Sequence, residues 1–139
     1  MNLYFACSLT GGRQDEGSYG VIVRHLERLG HKVPTAHLAK PGVMELEKVT
    51  AADEIYARDI RWIEGCEALI AEVSTPSHGV GYEIGFALRL GKSVLCCYRE
   101  GVPVSKMILG NDSPGLIVRN YRNDNELREL VDEFLASLT

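Results

Sequence analysis

The most constraining feature of the sequence is an apolar run that leads directly into a glycine-rich helical segment. Residues 68–73 are typical of a strand that is buried on both faces of a sheet. Residues 74–77 are turn formers, and from Val80 the apolar residues recur at helical spacing until Gly91, which ends the helix. This order of strand, short loop and helix predicts one unit of a parallel α/β sheet.

The rest of the chain alternates in the same way. Residues 37–49 are predicted to be irregular, a short helical piece is predicted at 104–109, and an amphipathic helix is predicted at 125–138. We therefore expect a single domain, residues 1–139, with a doubly wound, three-layer, flavodoxin- or Rossmann-like α/β fold and a five-stranded parallel sheet of order 2-1-3-4-5. The five predicted strands cover residues 2–7, 32–36, 68–73, 93–98 and 116–118.

Composition excludes several classes of protein. The formal charge of −4 argues against general binding to nucleic acid or to membrane surfaces. No apolar run is long enough to span a bilayer, and residues 1–7 already resemble a strand, so we expect no signal peptide. The cysteines lie in or beside apolar segments without C-x-x-C spacing, which favours buried thiols in a reducing cytoplasm; they are Cys7, Cys66, Cys96 and Cys97.

Glu83 is the first candidate for chemistry, because it is predicted to lie in the first turns of the helix after the third strand. Ligands bind at the carboxyl ends of parallel strands, beside helix N-termini whose free N–H groups favour anions. Glu83 is therefore a candidate catalytic group with a bound phosphate as its neighbour. The alternative is an acidic residue that complements the helix dipole. Three glycines, Gly79, Gly81 and Gly85, weaken the helix and favour the close approach of a ligand.

The loop after the first strand is the second candidate. Residues 8–13 place a serine, a threonine and two glycines between a strand and a helix, where backbone N–H groups can bind a phosphate and Arg13 adds a positive charge. Neither the P-loop nor the G-x-G-x-x-G pattern is present. An ordinary polar turn remains the alternative.

Asp59 is the third candidate. It follows Ile55 by four residues and precedes Trp62 and Ile63 by three and four, so it shares the apolar face of its predicted helix. A carboxylate on that face is costly unless it is paired, for example with an arginine as counterion, or placed at a pocket. Together with Glu83 it would supply the two carboxylates that glycosidic cleavage requires.

Two histidines follow predicted strands at the edge where a pocket is expected. They are His37, which we include among the candidate substrate-binding residues, and His78. A lone histidine in a loop is more often solvated than catalytic. No carboxylate and histidine spacing indicates a metal site, and no cofactor is predicted.

Four segments together resemble the 2'-deoxynucleoside 5'-phosphate N-hydrolases of the nucleoside 2-deoxyribosyltransferase superfamily. They are YFACSLTGGR at 4–13, ARDIRWI at 57–63, AEVSTPSHGVGYEIG at 71–85 and VSKMI at 104–108. The resemblance runs nearly end to end, and its most specific part is Pro-Ser-x-Gly-Val-Gly-Tyr-Glu. It implies an enzyme that cleaves the N-glycosidic bond of a (deoxy)nucleoside 5'-monophosphate and releases the free base and the sugar 5-phosphate.

The resemblance also implies roles for individual residues. Glu83 would attack the anomeric carbon and form a glycosyl-enzyme ester, Asp59 would hold the sugar and assist proton transfer, and Tyr4 would orient Glu83. Ser105 would come from the other subunit of a homodimer, with Met107 near the base. The 5'-phosphate would be bound by Cys7, Ser8, Leu9, Thr10, Gly11, Gly12, Arg13, Ser77 and Gly79.

One position departs from the family pattern. Relatives carry arginine where Thr10 stands, so Arg13 or Lys106 would have to supply the positive charge. Three other functions stay open: transfer of deoxyribose between bases, hydrolysis of a ribonucleotide such as CMP, and nucleotide sensing without turnover. The retained set of Tyr4, Asp59 and Glu83 weighs against the sensor.

Overall fold

The computed structural model describes residues 1–9, 12 and 14–139, with only the backbone of Leu46. Strands and helices alternate through most of the chain, with a short 3-10 helix at Ala36–Ala39. In chain order the other elements are β1 (Leu3–Ala6), α1 (Glu16–Arg28), α2 (Val43–Val49), α3 (Ala52–Gly65), β2 (Ala68–Glu72), α4 (His78–Arg89), β3 (Ser93–Arg99), α5 (Lys106–Leu109), β4 (Leu116–Tyr121) and α6 (Asp124–Ser137).

The strands form a four-stranded parallel sheet of order β1-β2-β3-β4. Leu3 pairs with Ala68 at one end of the sheet, and Cys96 pairs with Val118 farther along it. The parallel α/β architecture predicted from the sequence is therefore confirmed. The four strands correspond to the first, third, fourth and fifth predicted strands.

The predicted second strand, and with it the five-stranded order 2-1-3-4-5, is not found in the described chain. Lys32 makes a single parallel bridge with Asn2, in which Lys32 carbonyl oxygen accepts a hydrogen bond of 2.8 Å from Leu3 N–H. Pro34 has no N–H group with which to extend the ladder. Two residues after Leu3, the Phe5 N–H donates to the side-chain hydroxyl of Thr35 at 2.9 Å instead of to a backbone carbonyl of the segment. The segment thus lies where the prediction places it, but turns away after one bridge.

The prediction that residues 37–49 are irregular is also wrong. The 3-10 helix and α2 occupy most of this segment, and Gly42, with φ of +81°, directly precedes α2. Residues 44–48 are strong helix formers, which explains why a short helix forms once the glycine has reversed the chain.

Alternation along β1 sends its side chains into two separate core layers. Leu3 and Phe5 pack with the apolar faces of α1 and α6, whereas Tyr4 and Ala6 pack with residues of α3 and α4. A slip of one residue in the register would exchange the two sets. The side of the sheet on which Tyr4 lies is therefore fixed by the same pattern that builds the core.

The start and end of α4 follow from local chemistry. Ser77 is its N-cap, and the Ser77 hydroxyl oxygen accepts a hydrogen bond from Val80 N–H at 3.3 Å. Gly91, with φ of +75°, follows the last turn in the left-handed conformation that the sequence pattern predicts. The cap places the first turn of α4 at the carboxyl end of β2.

The four cysteines are buried, as the sequence predicts. Among the described residues, no helix is both long and apolar enough to pass through a lipid bilayer.

Candidate active site

Two cavities meet at the side chains of Asp59 and Glu83. The first, here called the loop cavity, has a volume of about 320 Å³ and extends toward Cys7, Leu9 and α2. The second, the tyrosine cavity, has a volume of about 420 Å³ and extends toward Tyr56 and Tyr82. The residues that line both are Ile55, Asp59, Gly79 and Glu83. The two candidate carboxylates are thus brought together, as the sequence predicts.

Tyr4 and Glu83 are in direct contact. The Tyr4 hydroxyl donates a short hydrogen bond to Oε2 of Glu83. Tyr4 is fully buried in the sheet and Glu83 is partly buried on α4, so the contact joins strand to helix across one core layer. Burial raises the pKa of the Tyr4 phenol far above its ordinary value, which keeps the hydroxyl protonated and able to donate.

The environment of Glu83 makes its carboxyl a weak acid. Burial raises its pKa to about 7, the hydrogen bond from Tyr4 and the charge of Arg58 oppose the rise, and the charge of Asp59 adds to it. Near neutral pH the group therefore exchanges between its neutral and charged forms. A carboxyl with such a pKa in a cleft is a candidate for catalysis.

Glu83 lies in the first turns of α4, as the sequence predicts, but not beside the free N–H groups at the start of the helix. Glu83 is the sixth residue of α4, so it lies beyond the first four residues whose N–H groups lack helical partners. Free N–H groups at the helix start are therefore nearer to Gly79 than to Glu83. Burial is the largest influence on the pKa of Glu83, and the hydrogen bond from Tyr4 is the next.

Asp59 has both of the roles between which the sequence could not choose. Its Oδ1 accepts a hydrogen bond of 2.8 Å from Nε of Arg58, and its side chain lines both cavities. Burial raises the pKa of Asp59, while the hydrogen bond and charge of Arg58 oppose that rise. The carboxylate is thus paired with an arginine and also faces the pocket.

The candidate phosphate loop is described only in part. Thr10, Gly11 and Arg13 lie outside the described residues. Cys7 and Leu9 line the loop cavity, Ser8 is buried, and Gly12 has a φ of +122°, which favours glycine. Ser77 and Gly79 line the same cavity from the start of α4.

The segment around α5 lies beside a third cavity, of about 470 Å³, here called the α5 cavity. Ser105 and Met107 line this cavity together with Ser77, which also lines the loop cavity. Met107 is 83% exposed, and Lys106 is exposed without being among the lining residues. Within one chain, Ser105 is therefore next to the cavity that contains Glu83 rather than in it.

The two candidate histidines differ in their surroundings. His37 does not line the loop cavity but contacts Glu47, which does: its Nε2 is 3.7 Å from Oε1 of Glu47. The His37 ring meets that of Trp62 edge-on with centroids 5.9 Å apart. His78 is the exposed first residue of α4. Within the described ranges, no group of three or more His, Cys, Asp or Glu side chains is arranged to hold a metal ion.

Sequence reasoning missed Glu47 and Arg58. Arg58 donates from Nη2 to Oε1 of Glu47 at 3.2 Å, and its guanidinium carbon is 4.9 Å from the centre of the Trp62 ring. The spacing of four residues between Arg58 and Trp62 was a usable signal, because such pairs face each other on a helix. Glu47 had no such signal, since α2 was not predicted.

A second polar network joins the two loops that flank the site. Asp15, just before α1, accepts hydrogen bonds from the Thr75 hydroxyl at 3.0 Å and from Nη2 of Arg99 at 2.7 Å. Thr75 belongs to the loop that leads to Ser77, and Asp15 follows the candidate phosphate loop. The network therefore joins Asp15, just before α1, to the loop that leads to Ser77.

The sequence is similar to known proteins of one family. The sequence model of the family described as "Nucleoside 2-deoxyribosyltransferase" matches residues 3–127. A protein of Methanosarcina mazei named "Putative 2'-deoxynucleoside 5'-phosphate N-hydrolase 1" is 40% identical over 137 residues, which are 99% of this chain and 85% of that protein. The "5-hydroxymethyl-dUMP N-hydrolase" of Danio rerio is 36% identical over 143 residues, with 100% and 99% of the two chains covered.

A solved structure supports the same fold. The CMP N-glycosidase of Clostridium botulinum superposes with a TM-score of 0.72 at 21% sequence identity, over 95% of this chain and 98% of that one. The family match covers most of the chain, and the two relatives exceed one-third identity over nearly all of it. The chain therefore belongs to the nucleoside 2-deoxyribosyltransferase family.

Proposed function

We propose that this chain hydrolyses the N-glycosidic bond of 2'-deoxynucleoside 5'-monophosphates, releasing the free base and deoxyribose 5-phosphate. The observation that carries the proposal is the Tyr4–Glu83 hydrogen bond at the junction of two cavities that Asp59 also lines. The names of the relatives, which are N-hydrolases of deoxynucleoside 5'-phosphates, support the same class of substrate.

Glu83 acts as the nucleophile. Tyr4 engages Oε2, which leaves Oε1 to attack the anomeric carbon. The bond between this carbon and the base nitrogen breaks, its electron pair stays on the base, and the base takes up a proton. Water then attacks the same carbon of the glycosyl ester and loses a proton, and the Glu83 carboxylate is released.

Asp59 binds the sugar and assists proton transfer. Its carboxylate shares both cavities with Glu83, so it reaches the same bound ring. Cleavage builds positive charge on the sugar, and two carboxylates beside it stabilise that charge. The sugar and the base that leaves it must therefore lie between α3, which carries Asp59, and α4, which carries Glu83.

The 5'-phosphate binds at the loop cavity. Ser77 and Gly79, at the start of α4, offer a hydroxyl and a backbone N–H to the cavity that Cys7 and Leu9 also line. Binding the phosphate away from the reacting bond supplies energy that aligns the anomeric carbon with Glu83. We further propose that this single domain works in the cytoplasm as a homodimer, in which Ser105 and Met107 complete the partner's site.

The test is release of free base from a panel of ribo- and deoxyribonucleosides and their 5'-monophosphates, without an acceptor base. We expect base and deoxyribose 5-phosphate from deoxynucleoside monophosphates, with poor turnover of nucleosides. Glu83→Gln should abolish release, while Glu129→Gln, which changes an exposed glutamate of α6, should not. Product only in the presence of an acceptor base would indicate a transferase, and equal kcat/KM for nucleoside and nucleotide would contradict the phosphate site.

A further inference from the structure

Arg58 is the centre of a network of charged side chains that extends from Glu47 on α2 to Asp59 in the cleft. Its Nε donates to Asp59 at 2.8 Å and its Nη2 donates to Glu47 at 3.2 Å. The Trp62 ring lies under the guanidinium at 4.9 Å. One planar group therefore bridges two carboxylates, and an aromatic face limits its movement.

The side chains of this network are largely removed from solvent. The side chain of Glu47 is 8% exposed, that of Asp59 is 19% exposed and that of Arg58 is 22% exposed. Charged groups in such surroundings interact more strongly than on an open surface, and removing one of them leaves the others uncompensated. The cost of burying Asp59 is thus offset by a specific neighbour.

We infer that Arg58 is a positioning residue, which fixes the carboxylate of Asp59 in the cleft beside Glu83 and is itself held in place by Glu47 and Trp62. Its role in catalysis rests on the proposed function, whereas its effect on Asp59 does not. Arg58 does not line either cavity; it acts through its hydrogen bond to Asp59, and its charge also opposes the rise in the pKa of Glu83.

The charged groups around Asp59 come from every neighbouring element. Arg58 lies on α3 itself, Glu47 and Lys48 lie on α2, and His37 lies on the 3-10 helix. Glu83 and Tyr4 face it from α4 and β1. Of these groups in the described structure, Arg58 donates a hydrogen bond to the Asp59 carboxylate. Arg58 thereby counteracts the rise in the pKa of Asp59 that burial causes.

The primary test is an NMR titration of carboxyl groups, because it does not depend on turnover. The Asp59 signal is assigned with Asp59→Asn. Arg58→Gln should raise the pKa of Asp59 by about one unit or more, as expected for loss of an adjacent opposite charge. Arg58→Lys should give a smaller rise, because lysine keeps the charge but not the two-sided fork.

Arg61→Gln is the matched control, since it removes the same charge from an exposed position on the same helix. It should leave the pKa of Asp59 within a few tenths of a unit, as expected for a screened surface charge. The same variants are then assayed with a deoxynucleoside 5'-monophosphate. Arg58→Gln should lower kcat about tenfold and move the acid limb of the pH profile upward, and Arg58→Lys should lie between it and wild type.

The inference would be overturned if the pKa of Asp59 were unchanged in folded Arg58→Gln. It would also be overturned if Arg58→Lys changed neither the pKa of Asp59 nor kcat. A raised pKa in a protein that releases no base from any nucleotide would confirm the positioning of Asp59 and contradict the proposed function instead. Equal shifts in Arg58→Gln and Arg61→Gln would also overturn it, because they would indicate a general charge effect.

Discussion

The Tyr4 hydroxyl donates a hydrogen bond to the Glu83 carboxylate across 79 residues of sequence. Tyr4 lies in the edge strand β1, and Glu83 lies in the second turn of the helix that follows the neighbouring strand β2. The bond places the donor beneath the proposed nucleophile, and it lowers a carboxyl pKa that burial raises to about 7. Orientation and acidity of Glu83 therefore depend on the same contact.

Tyr4→Phe should move the acid limb of the pH profile to higher pH. The hydrogen bond from Tyr4 lowers the pKa of Glu83, so its loss raises that pKa further above 7. The nucleophile must be ionised, and activity at neutral pH should fall about tenfold and recover in part at higher pH. Tyr121→Phe is the control, because it removes a buried hydroxyl that donates to Glu72, away from the cleft. An acid limb at the wild-type position would show that the bond does not control Glu83.

Glu83→Gln should be more stable than wild type at alkaline pH. The folded-state pKa of about 7 lies above the ordinary value of 4.5, so folding favours the neutral form of Glu83. In the wild type the resulting stability is complete below pH 4.5 and is lost as pH rises through 7. The advantage of the glutamine variant should thus grow across this window to at most about 3 kcal/mol. Urea unfolding at pH 4.5, 6 and 8 measures the stability difference between the variant and the wild type. A difference that does not depend on pH would contradict the raised pKa of Glu83.

Asp15→Asn should weaken both the fold and phosphate binding. Asp15 is 7% exposed and joins Thr75 to Arg99, so the change removes the charge that links the residue before α1 to the loop that leads to Ser77. Because Arg99 is 44% exposed at its side chain, we expect a loss of only about 1–2 kcal/mol. Urea unfolding measures this loss, and KM should rise for the monophosphate. Asp112→Asn, at an exposed position, serves as the control. A KM unchanged in the destabilised variant would separate the network from the phosphate site.

The sequence predicts this fold well where periodicity and burial agree. Residues 68–91 form a strand, a loop and a helix that ends before Gly91, as their pattern predicts. The second strand fails because Pro34 lacks the N–H that a ladder requires, although its apolar neighbours favour a strand. A single chemical group thus overrides a hydrophobic pattern.

The site could be predicted only as far as single residues carry a signal. Glu83 and Asp59 stand at a strand end and on an apolar helical face, so each could be found alone. The Tyr4 contact was indicated only by the family resemblance, because it depends on which face of the sheet β1 presents to α4, and Glu47 could not be found because its contact depends on the placement of α2. Such contacts between distant segments arise from tertiary packing, which a local pattern does not specify.

The last prediction concerns Ser105, which we expect to act in the site of the partner subunit. Ser105 caps α5 by accepting a hydrogen bond from Met107 N–H at 3.1 Å, and its hydroxyl hydrogen can still be donated to a phosphate. The adjacent side chains Met107 and Leu109 are 83% and 50% exposed, which suits residues that a second subunit covers. A two-fold dimer would then contain two such sites by symmetry.

Complementation distinguishes this arrangement from a site within one chain. Inactive Glu83→Ala is mixed in equal amount with Ser105→Trp, and subunit exchange is followed by mass-tagged chains. In a mixed dimer with shared sites, one site lacks both groups and the other is intact, so activity should recover to about a quarter of wild type after statistical exchange. If each chain used its own Ser105, both sites of the mixed dimer would be impaired and no activity would return. Light scattering completes the test, because a fully active monomer in solution would contradict the shared site whatever the mixture does.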